Sequence, residues 1–128
     1  MEQIRVLIAD DHAILRDTLC RLLSLEPEFL VVGQVESGLL VMEAIRRYQP
    51  DILLLDLNMP GLGGLATLQQ LHEADYKTRV ILLTGSDSEA DFAKARRLGS
   101  CSVVQKQAGA EVLFTSIRLV HRHQVEKV

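Results

Sequence analysis

Acidic, hydroxyl and ammonium side chains stand at the ends of four short apolar runs in this sequence. Asp10 and Asp11 follow VLIA, Asp56 ends DILLLD, Thr84 ends RVILLT and Lys106 follows SVVQ. Two carboxylates about 4 Å apart repel each other by roughly 4 kcal/mol at an effective dielectric near 20. A hard divalent cation such as Mg²⁺, which prefers oxygen ligands, would relieve this repulsion. A carboxylate beside such an ion, with an ammonium group and a hydroxyl donor, is equipped to attack and stabilise a transferring phosphoryl group.

Each of these residues also has a purely structural interpretation. The acid pair could cap a helix, and the segment DLNMPG that begins at Asp56 could be only a turn. Thr84 could start the next helix, and Lys106 could be a solvated surface lysine. Their coincidence at successive strand ends favours a shared site for an anionic phosphate. Asp56 is then the expected nucleophile because it ends the apolar central run, while the acid pair handles metal.

The segments that must bring these residues together alternate between strand-like and helix-like patterns. Strands are predicted at Ile4–Ala9, Leu30–Val35, Asp51–Leu55, Arg79–Leu83 and Ser102–Gln105. The first, third and fourth are almost continuously apolar, as parallel strands covered on both faces are. Five strands alternating with five helices are typical of a doubly wound α/β sheet, whose ligands bind beyond the carboxyl ends of the strands.

Apolar residues at three- and four-residue intervals predict the inward faces of the helices. These residues are Leu15, Leu19, Leu22 and Leu23; Val41, Ala44 and Ile45; Leu65, Leu68 and Leu71; Phe92, Ala95 and Leu98; and Val112, Leu113, Ser116, Ile117 and Val120. Gln49 with Pro50 is expected to end the second helix, and Gly99 the fourth. The segment 36–38 after the second strand reads as a plain turn.

Composition narrows the class of protein. The chain of 128 residues is one domain, and its 14 Lys and Arg against 17 Asp and Glu give a net charge of −3. This acidic balance, with five aromatic residues and no Trp, argues against nucleic acid as a direct ligand. Two cysteines form no disulfide framework, and no apolar stretch is long enough for a membrane span. No signal peptide is visible, so a cytoplasmic location is expected.

The ordered motifs resemble those of the response-regulator receiver domain of bacterial two-component systems. VLIADD, DLNMPGLGG, LLTG and VVQK occur in that family's order, and the resemblance covers essentially the whole chain. The segment DLNMPGLGGLATL is similar to the corresponding sequences of the NarL/LuxR-type subgroup. The resemblance implies a flavodoxin-like sheet with strand order 2-1-3-4-5 and a single receiver domain over residues 1–128. In this subgroup a helix-turn-helix DNA-binding domain usually follows, so the chain is either a single-domain regulator or the N-terminal part of a longer one.

The resemblance also implies a phosphoacceptor and a metal site. Asp56 would accept a phosphoryl group from the phosphohistidine of a sensor histidine kinase or phosphotransfer protein. Asp11 and Asp56 would ligate Mg²⁺ directly with the main-chain carbonyl of Asn58, and Asp10 would act through water. Asn58 and Ser86 would tune the lifetime of the acyl phosphate.

By the same resemblance, Lys106 would pair with the phosphoryl oxygens and Thr84 would swing in to hydrogen-bond them. Pro60 and Gly64 would shape the loop beside the site. The family often has an aromatic residue three positions before the lysine, but Val103 stands here and is stiff at χ1.

Phosphorylation is expected to change the surface over the fourth helix, fifth strand and fifth helix, and so to promote a homodimer. The candidate residues for that surface are Ala93, Arg97, Val103, Val104, Phe114 and Arg118, and the alternative for Phe114 is packing under a neighbouring helix. The chain is thus predicted to be a phosphorylation-controlled switch in transcription regulation and not an enzyme. A receiver-like interaction module that is never phosphorylated, and a Mg²⁺-dependent aspartyl-phosphate phosphohydrolase, are the alternatives.

The histidines and one cysteine are predicted to have structural roles only. His12, His72, His121 and His123 show no metal-ligand spacing. His12 is close enough to the acid pair to perturb the site, although a residue in this position is more often a surface group at a helix start. Cys20 falls among leucines and is expected to be buried.

Overall fold

Five parallel strands alternate with five helices in this computed structural model, which describes residues 2–59, 62–74, 76–85 and 89–126, without the side chains of Cys101 and of residues 123–126. The strands are β1 (Ile4–Ala9), β2 (Phe29–Val35), β3 (Ile52–Asp56), β4 (Arg79–Thr84) and β5 (Ser100–Gln105). The helices are α1 (Ala13–Ser24), α2 (Val41–Tyr48), α3 (Gly64–Ala74), α4 (Glu89–Arg97) and α5 (Ala110–Glu126). These bounds differ from the predicted strand bounds by at most two residues.

The sheet has the order β2-β1-β3-β4-β5, which confirms the predicted doubly wound fold. Every residue of the central strand β3 is buried because helices cover both faces of the sheet. Alternate strand residues therefore enter two different cores. Ile52 and Leu54 join α1 and α5 on one face, whereas Leu53 and Leu55 join α2, α3 and α4 on the other.

The helix faces follow the predicted periodicity with one clear exception. Val41, Ala44 and Ile45 are all buried, as predicted. Val112 was expected to face inward, but 51% of it is exposed. The buried face of α5 is centred on Leu113 and Ile117, and Val112 lies more than 90° around the helix from that centre. The prediction for Val112 was therefore wrong.

Both predicted helix ends are found. Gln49 follows α2 in the left-handed conformation, with φ 47°, and Gly99 follows α4 with φ +96°. Left-handed residues end helices because they release the backbone from the helical path.

The segment after β2 is more than the plain turn that was predicted. Ser37 accepts a hydrogen bond from the backbone N–H of Leu39 and so caps one 3₁₀ turn at Gly38–Leu40. A Cβ at Gly38 would lie 2.3 Å from the carbonyl oxygen of Leu62 and 2.4 Å from the Thr67 hydroxyl. A glycine is required here because the start of α3 packs directly on its backbone.

No helix in the described part of the chain is long and apolar enough to cross a membrane.

Candidate functional site

The carboxyl ends of four strands place the predicted polar residues at one edge of the sheet. Backbone hydrogen bonds continue the ladder beyond the strands: Leu57 N–H donates to Leu83 at 2.9 Å, and Lys106 N–H donates to the carbonyl of Thr84 at 2.8 Å. These bonds fix the loops that follow β3 and β5. Asp10, Asp56 and Thr84 are fully buried there, although they are polar. Burial of polar groups without a structural need indicates a functional site.

Lys106 forms an ion pair with Asp56. Its Nζ lies 3.0 Å from Asp56 Oδ1 and 3.6 Å from Asp10 Oδ2. The backbone N–H of Asn58 also donates to Asp56 Oδ1, at 3.1 Å. One oxygen of Asp56 is therefore held by two donors, and this orients the carboxylate in the pocket.

Three carboxylate oxygens in the pocket are buried and receive no hydrogen bond from the residues that the structure describes. They are Oδ2 of Asp10, Oδ1 of Asp11 and Oδ2 of Asp56. An unsatisfied buried carboxylate oxygen is costly, so such groups occur where another ligand completes them. The acids fit a divalent cation with oxygen ligands, because the lysine alone leaves two of their three negative charges uncompensated.

Burial raises the pKa of Asp56 above its usual value. Removal of the charged form from water is the largest cause, and the neighbouring charge of Asp10 acts in the same direction. Hydrogen bonds from Lys106 and from the Asn58 backbone lower the pKa of Asp56 but do not cancel the effect of burial. The ionised nucleophile therefore depends on its cationic neighbours.

Gly64 lets α3 begin directly against the loop after β3. A Cβ at this position would lie 2.5 Å from the carbonyl oxygen of Asp56 and 2.6 Å from Cα of Leu57. The Gly64 N–H donates to the Leu57 carbonyl at 3.0 Å. This packing is in keeping with the expected loop-shaping role of Gly64, while Pro60, expected to share that role, lies outside the described residues.

Of the two residues expected to tune the acyl phosphate, one can be placed. Asn58 is exposed at the mouth of the pocket. Ser86 lies outside the described residues.

Two further residues contact the acid pair. His12, expected to be close enough to the site to perturb it, places Nδ1 3.1 Å from Asp10 Oδ1 and 3.3 Å from Asp11 Oδ1, while 63% of its side chain stays exposed. Arg16 on α1 donates from Nη1 to the carbonyl of Asp10 at 2.6 Å, a contact that was not predicted. The position of His12 directly after the acid pair was the signal for its proximity to the site.

Two of the residues proposed for the switching surface are not on any surface. Val104 and Phe114 are buried, and Phe114 packs against Phe29 with ring centroids 5.5 Å apart. Arg118 donates from Nε to Glu28 at 2.7 Å and so faces the loop after α1. The prediction was wrong for Val104 and Phe114 because Val104 of β5 and Phe114 of α5 both belong to the core that α1 and α5 form against the sheet.

The other members of that predicted surface differ in exposure. Ala93 and Arg97 are exposed on α4, whereas Val103 is partly buried against the core beneath α4. A stiff β-branched side chain therefore occupies the place where the family often has a mobile aromatic ring.

The remaining histidines and Cys20 lie away from the pocket. His72 is exposed on α3, His121 is half-buried on α5, and the side chain of His123 is not described. Cys20 is partly buried on α1, and burial raises the pKa of its thiol.

Comparison with known proteins agrees with this geometry. A family model described as "Response regulator receiver domain" matches residues 6–118. The chain is 34% identical over 116 residues to the nitrate/nitrite response regulator protein NarL of Escherichia coli K12, covering 91% of this chain and 54% of that protein. It is 30% identical over 118 residues to the transcriptional regulatory protein DegU of Brevibacillus brevis, covering 92% and 50%. The chain thus spans about half the length of these curated relatives.

Solved structures give the same assignment. The signal receiver domain of response regulator NarL from Mycobacterium tuberculosis superposes with a TM-score of 0.91 at 29% identity, covering 95% of this chain and 98% of that one. A LuxR-family DNA-binding response regulator from Staphylococcus aureus superposes with a TM-score of 0.87 at 29% identity, covering 92% and 98%. The fold, the acidic pocket and the sequence matches agree, and we conclude that the chain belongs to the response regulator receiver domain family and is of the NarL/LuxR type.

Proposed function

We propose that Asp56 is the phosphoacceptor of a signalling switch. A carboxylate oxygen of Asp56 attacks the phosphorus of a phosphohistidine on a sensor histidine kinase or phosphotransfer protein. The P–N bond breaks, its electron pair returns to the imidazole of the donor, and an acyl phosphate forms on Asp56. The observation that carries this proposal is the buried Asp56 carboxylate, with Lys106 Nζ 3.0 Å from one oxygen and no donor to the other oxygen in the described part of the chain.

The acidic residues of the pocket are suited to hold Mg²⁺ during this transfer. We assign Asp11, Asp56 and the main-chain carbonyl of Asn58 as direct ligands, and Asp10 as a ligand through water. The three buried oxygens without donors support this assignment. When bound, the ion offsets negative charge on the oxygens of the transferring group. Arg16 fixes the backbone of Asp10 through its carbonyl, and so positions the acid pair.

Lys106 and Thr84 are proposed to contact the phosphoryl group and so to distinguish the phosphorylated from the unphosphorylated chain. The Lys106 ammonium can pair with a phosphoryl oxygen once the Asp56 charge is spread over the acyl phosphate. Thr84 ends β4 at the same edge, so its hydroxyl can hydrogen-bond another phosphoryl oxygen after a local movement. Contacts made in only one arrangement of these loops shift the population toward that arrangement. Val103 has no aromatic ring that could rotate when Thr84 moves. The change of the output surface therefore depends on the movement of the loops after β4 and β5.

The wider biological role follows from the relatives and is part of the proposal. The Staphylococcus aureus neighbour is described as a DNA-binding response regulator. We propose that this chain acts in the cytoplasm, regulates transcription through a separate or attached output domain, and forms a homodimer on phosphorylation through the exposed face of α4. Signal transfer, and not turnover of a metabolite, is its proposed activity.

Incubation with acetyl phosphate or beryllofluoride tests the proposal. The wild-type chain should gain one phosphoryl group or one beryllofluoride adduct with Mg²⁺, and none after removal of the ion. Asp56→Asn should gain nothing, and the matched control Asp17→Asn, at an exposed site on α1, should behave as wild type. Absence of any adduct would favour the interaction module, and rapid repeated turnover of small phosphoesters would favour the phosphohydrolase.

A further inference from the structure

We propose that His12 gives the acidic pocket a nitrogen ligand, so that the pocket also binds a divalent transition metal of the zinc class in competition with Mg²⁺. The regulatory consequence rests on the function proposed above. A zinc-class ion ligated by His12 and the three acids would have its four coordination positions filled by protein atoms, with none left for a phosphoryl oxygen, and would so block phosphorylation. The chain would then be a switch that such an ion can hold in its unphosphorylated state.

The spacing of the donor atoms supports a single shared ion. Nδ1 of His12 lies 3.1 Å from Asp10 Oδ1 and 3.3 Å from Asp11 Oδ1. Two ligand atoms about 2.1 Å from one ion are about 3.0 Å apart at a right angle and about 3.4 Å apart at the tetrahedral angle. Both measured distances fall between these values. One ligand atom from each of Asp10, Asp11, His12 and Asp56 lies within 4.8 Å of those from the other three.

The imidazole can present a lone pair to the pocket. In a neutral histidine one ring nitrogen carries the proton and the other accepts. Because 63% of the His12 side chain is exposed, water can hydrate the ring when the proton is on Nε2. Nδ1 then faces the acids without a proton. In the absence of an ion, the other tautomer carries the proton on Nδ1 and can donate it to Asp10 Oδ1 at 3.1 Å, and ion binding would replace that hydrogen bond.

Buried oxygens aimed into the pocket are the independent evidence that an ion belongs there. Asp10 and Asp56 are fully buried, and Oδ2 of each has no hydrogen-bond donor among the described residues. Three ionised carboxylates and the Lys106 ammonium leave two negative charges, and one divalent ion neutralises them. The pocket therefore favours a dication, and His12 influences which dication binds.

The chemistry of the imidazole decides that choice. Mg²⁺ binds oxygen ligands and keeps several waters, so an imidazole adds little to its affinity. Zinc, copper and nickel ions bind imidazole well. Loss of the His12 ring should therefore weaken zinc binding far more than magnesium binding.

Calorimetric titration of the metal-free full chain with Zn²⁺, and separately with Mg²⁺, tests the proposal. His12→Asn removes the imidazole but keeps a residue that suits the first position before a helix. We expect it to weaken Zn²⁺ binding about tenfold or more and Mg²⁺ binding less than threefold. His72→Asn, at an exposed histidine of α3, is the matched control for zinc binding elsewhere. Zn²⁺ should also shift the Nδ1 resonance of His12 in a nitrogen-correlated imidazole spectrum.

The two proposals fail in different ways. If His12→Asn and wild type bind Zn²⁺ equally, or if His72→Asn causes the same loss, the zinc site is overturned. Formation of the beryllofluoride adduct with Mg²⁺ would still support the phosphoacceptor role of Asp56 in that case. If no adduct forms with Mg²⁺ but zinc binding depends on His12, the metal site stands and the phosphoacceptor role fails. One equivalent of Zn²⁺ should suppress formation of the beryllofluoride adduct by the wild-type chain. If the adduct still forms, the proposal that zinc competes with Mg²⁺ and blocks phosphorylation is overturned.

Discussion

Nζ of Lys106 lies 3.0 Å from Oδ1 of Asp56, across a pocket in which the aspartate is fully buried. The lysine comes from the end of β5 and the aspartate from the end of β3, with β4 between these strands. The pair therefore bridges the edge of the sheet over Thr84. One ammonium serves both as the counter-charge of the resting acid and as a proposed ligand of the phosphoryl group.

Replacement of this lysine should slow phosphorylation. Lys106→Met keeps the length of the side chain but removes the charge, so the transferring oxygens lose a cationic partner. We expect the rate of phosphorylation by acetyl phosphate to fall at least about tenfold. Intact-protein mass against time measures this rate. Lys94→Met, at an exposed lysine of α4, should keep the wild-type rate, and an equal loss in both variants would contradict the role of Lys106.

Asp56 should destabilise the metal-free fold as pH rises. Burial raises its pKa in the folded state, so the folded chain binds this proton more tightly than the unfolded chain does. Stability is therefore lost as pH rises from the unfolded pKa, about 3.9, through the raised folded value. Asp56→Asn removes this effect, and its melting temperature without metal should exceed that of wild type by about 3 °C or more at pH 7.

Melting curves between pH 4 and pH 8 measure this difference. The gap between Asp56→Asn and wild type should shrink toward the acid end, where the aspartate of both states is protonated. Mg²⁺ should narrow the gap at neutral pH because it stabilises the wild-type pocket. Asp17→Asn, at an exposed aspartate, should show no such pattern. A gap that is independent of pH would refute the burial argument.

A side chain at position 64 should destabilise the fold. Gly64→Ala places a Cβ within 2.7 Å of three backbone atoms of Asp56 and Leu57, which cannot move without displacing the end of β3. We expect the free energy of unfolding in urea to fall by about 2 kcal/mol or more. The control is Gly109→Ala, where a Cβ meets nothing within 4 Å. Equal stability of the two variants would show that the loop relaxes.

Phe114 should contribute to stability and not to an interface. It is 4% exposed, packs on Phe29, and lies under the Arg118 guanidinium. Phe114→Ala should lower the free energy of unfolding by about 3–5 kcal/mol. Leu119→Ala, at a leucine of the same helix that is 56% exposed, should change it by less than about 0.5 kcal/mol. A small effect of Phe114→Ala would mean that its ring is not part of the core.

Local sequence patterns determined the order and type of the elements. The apolar run of β3 can be stable only between two helical layers, and this condition makes the sheet parallel and the connections helical. Once the strands are parallel, the residues that end them must meet at one edge. Asp10, Asp56, Thr84 and Lys106 could therefore be grouped from sequence alone.

Contacts between distant segments decided the rest. Phe114 and Val104 read as candidates for a surface, but the packing of α5 on β4 and β5, in a core shared with α1, buries them. Arg118 pairs with Glu28, ninety residues earlier in the chain, and no local pattern encodes such a pairing. Gly38 was read as a turn residue because nothing near it in sequence shows that α3 lies against it.

The sequence by itself determined which groups reach the pocket, because strand ends and their polar residues are set by local periodicity. The tertiary structure decided how those groups face one another: which oxygen of Asp56 has Lys106 and which has no donor, and that the His12 ring turns toward the acids. The physical reason is that hydrogen-bond direction and burial depend on the packing of loops against several elements at once. The order of strands and helices, in contrast, depends on the short-range alternation of apolar and polar residues.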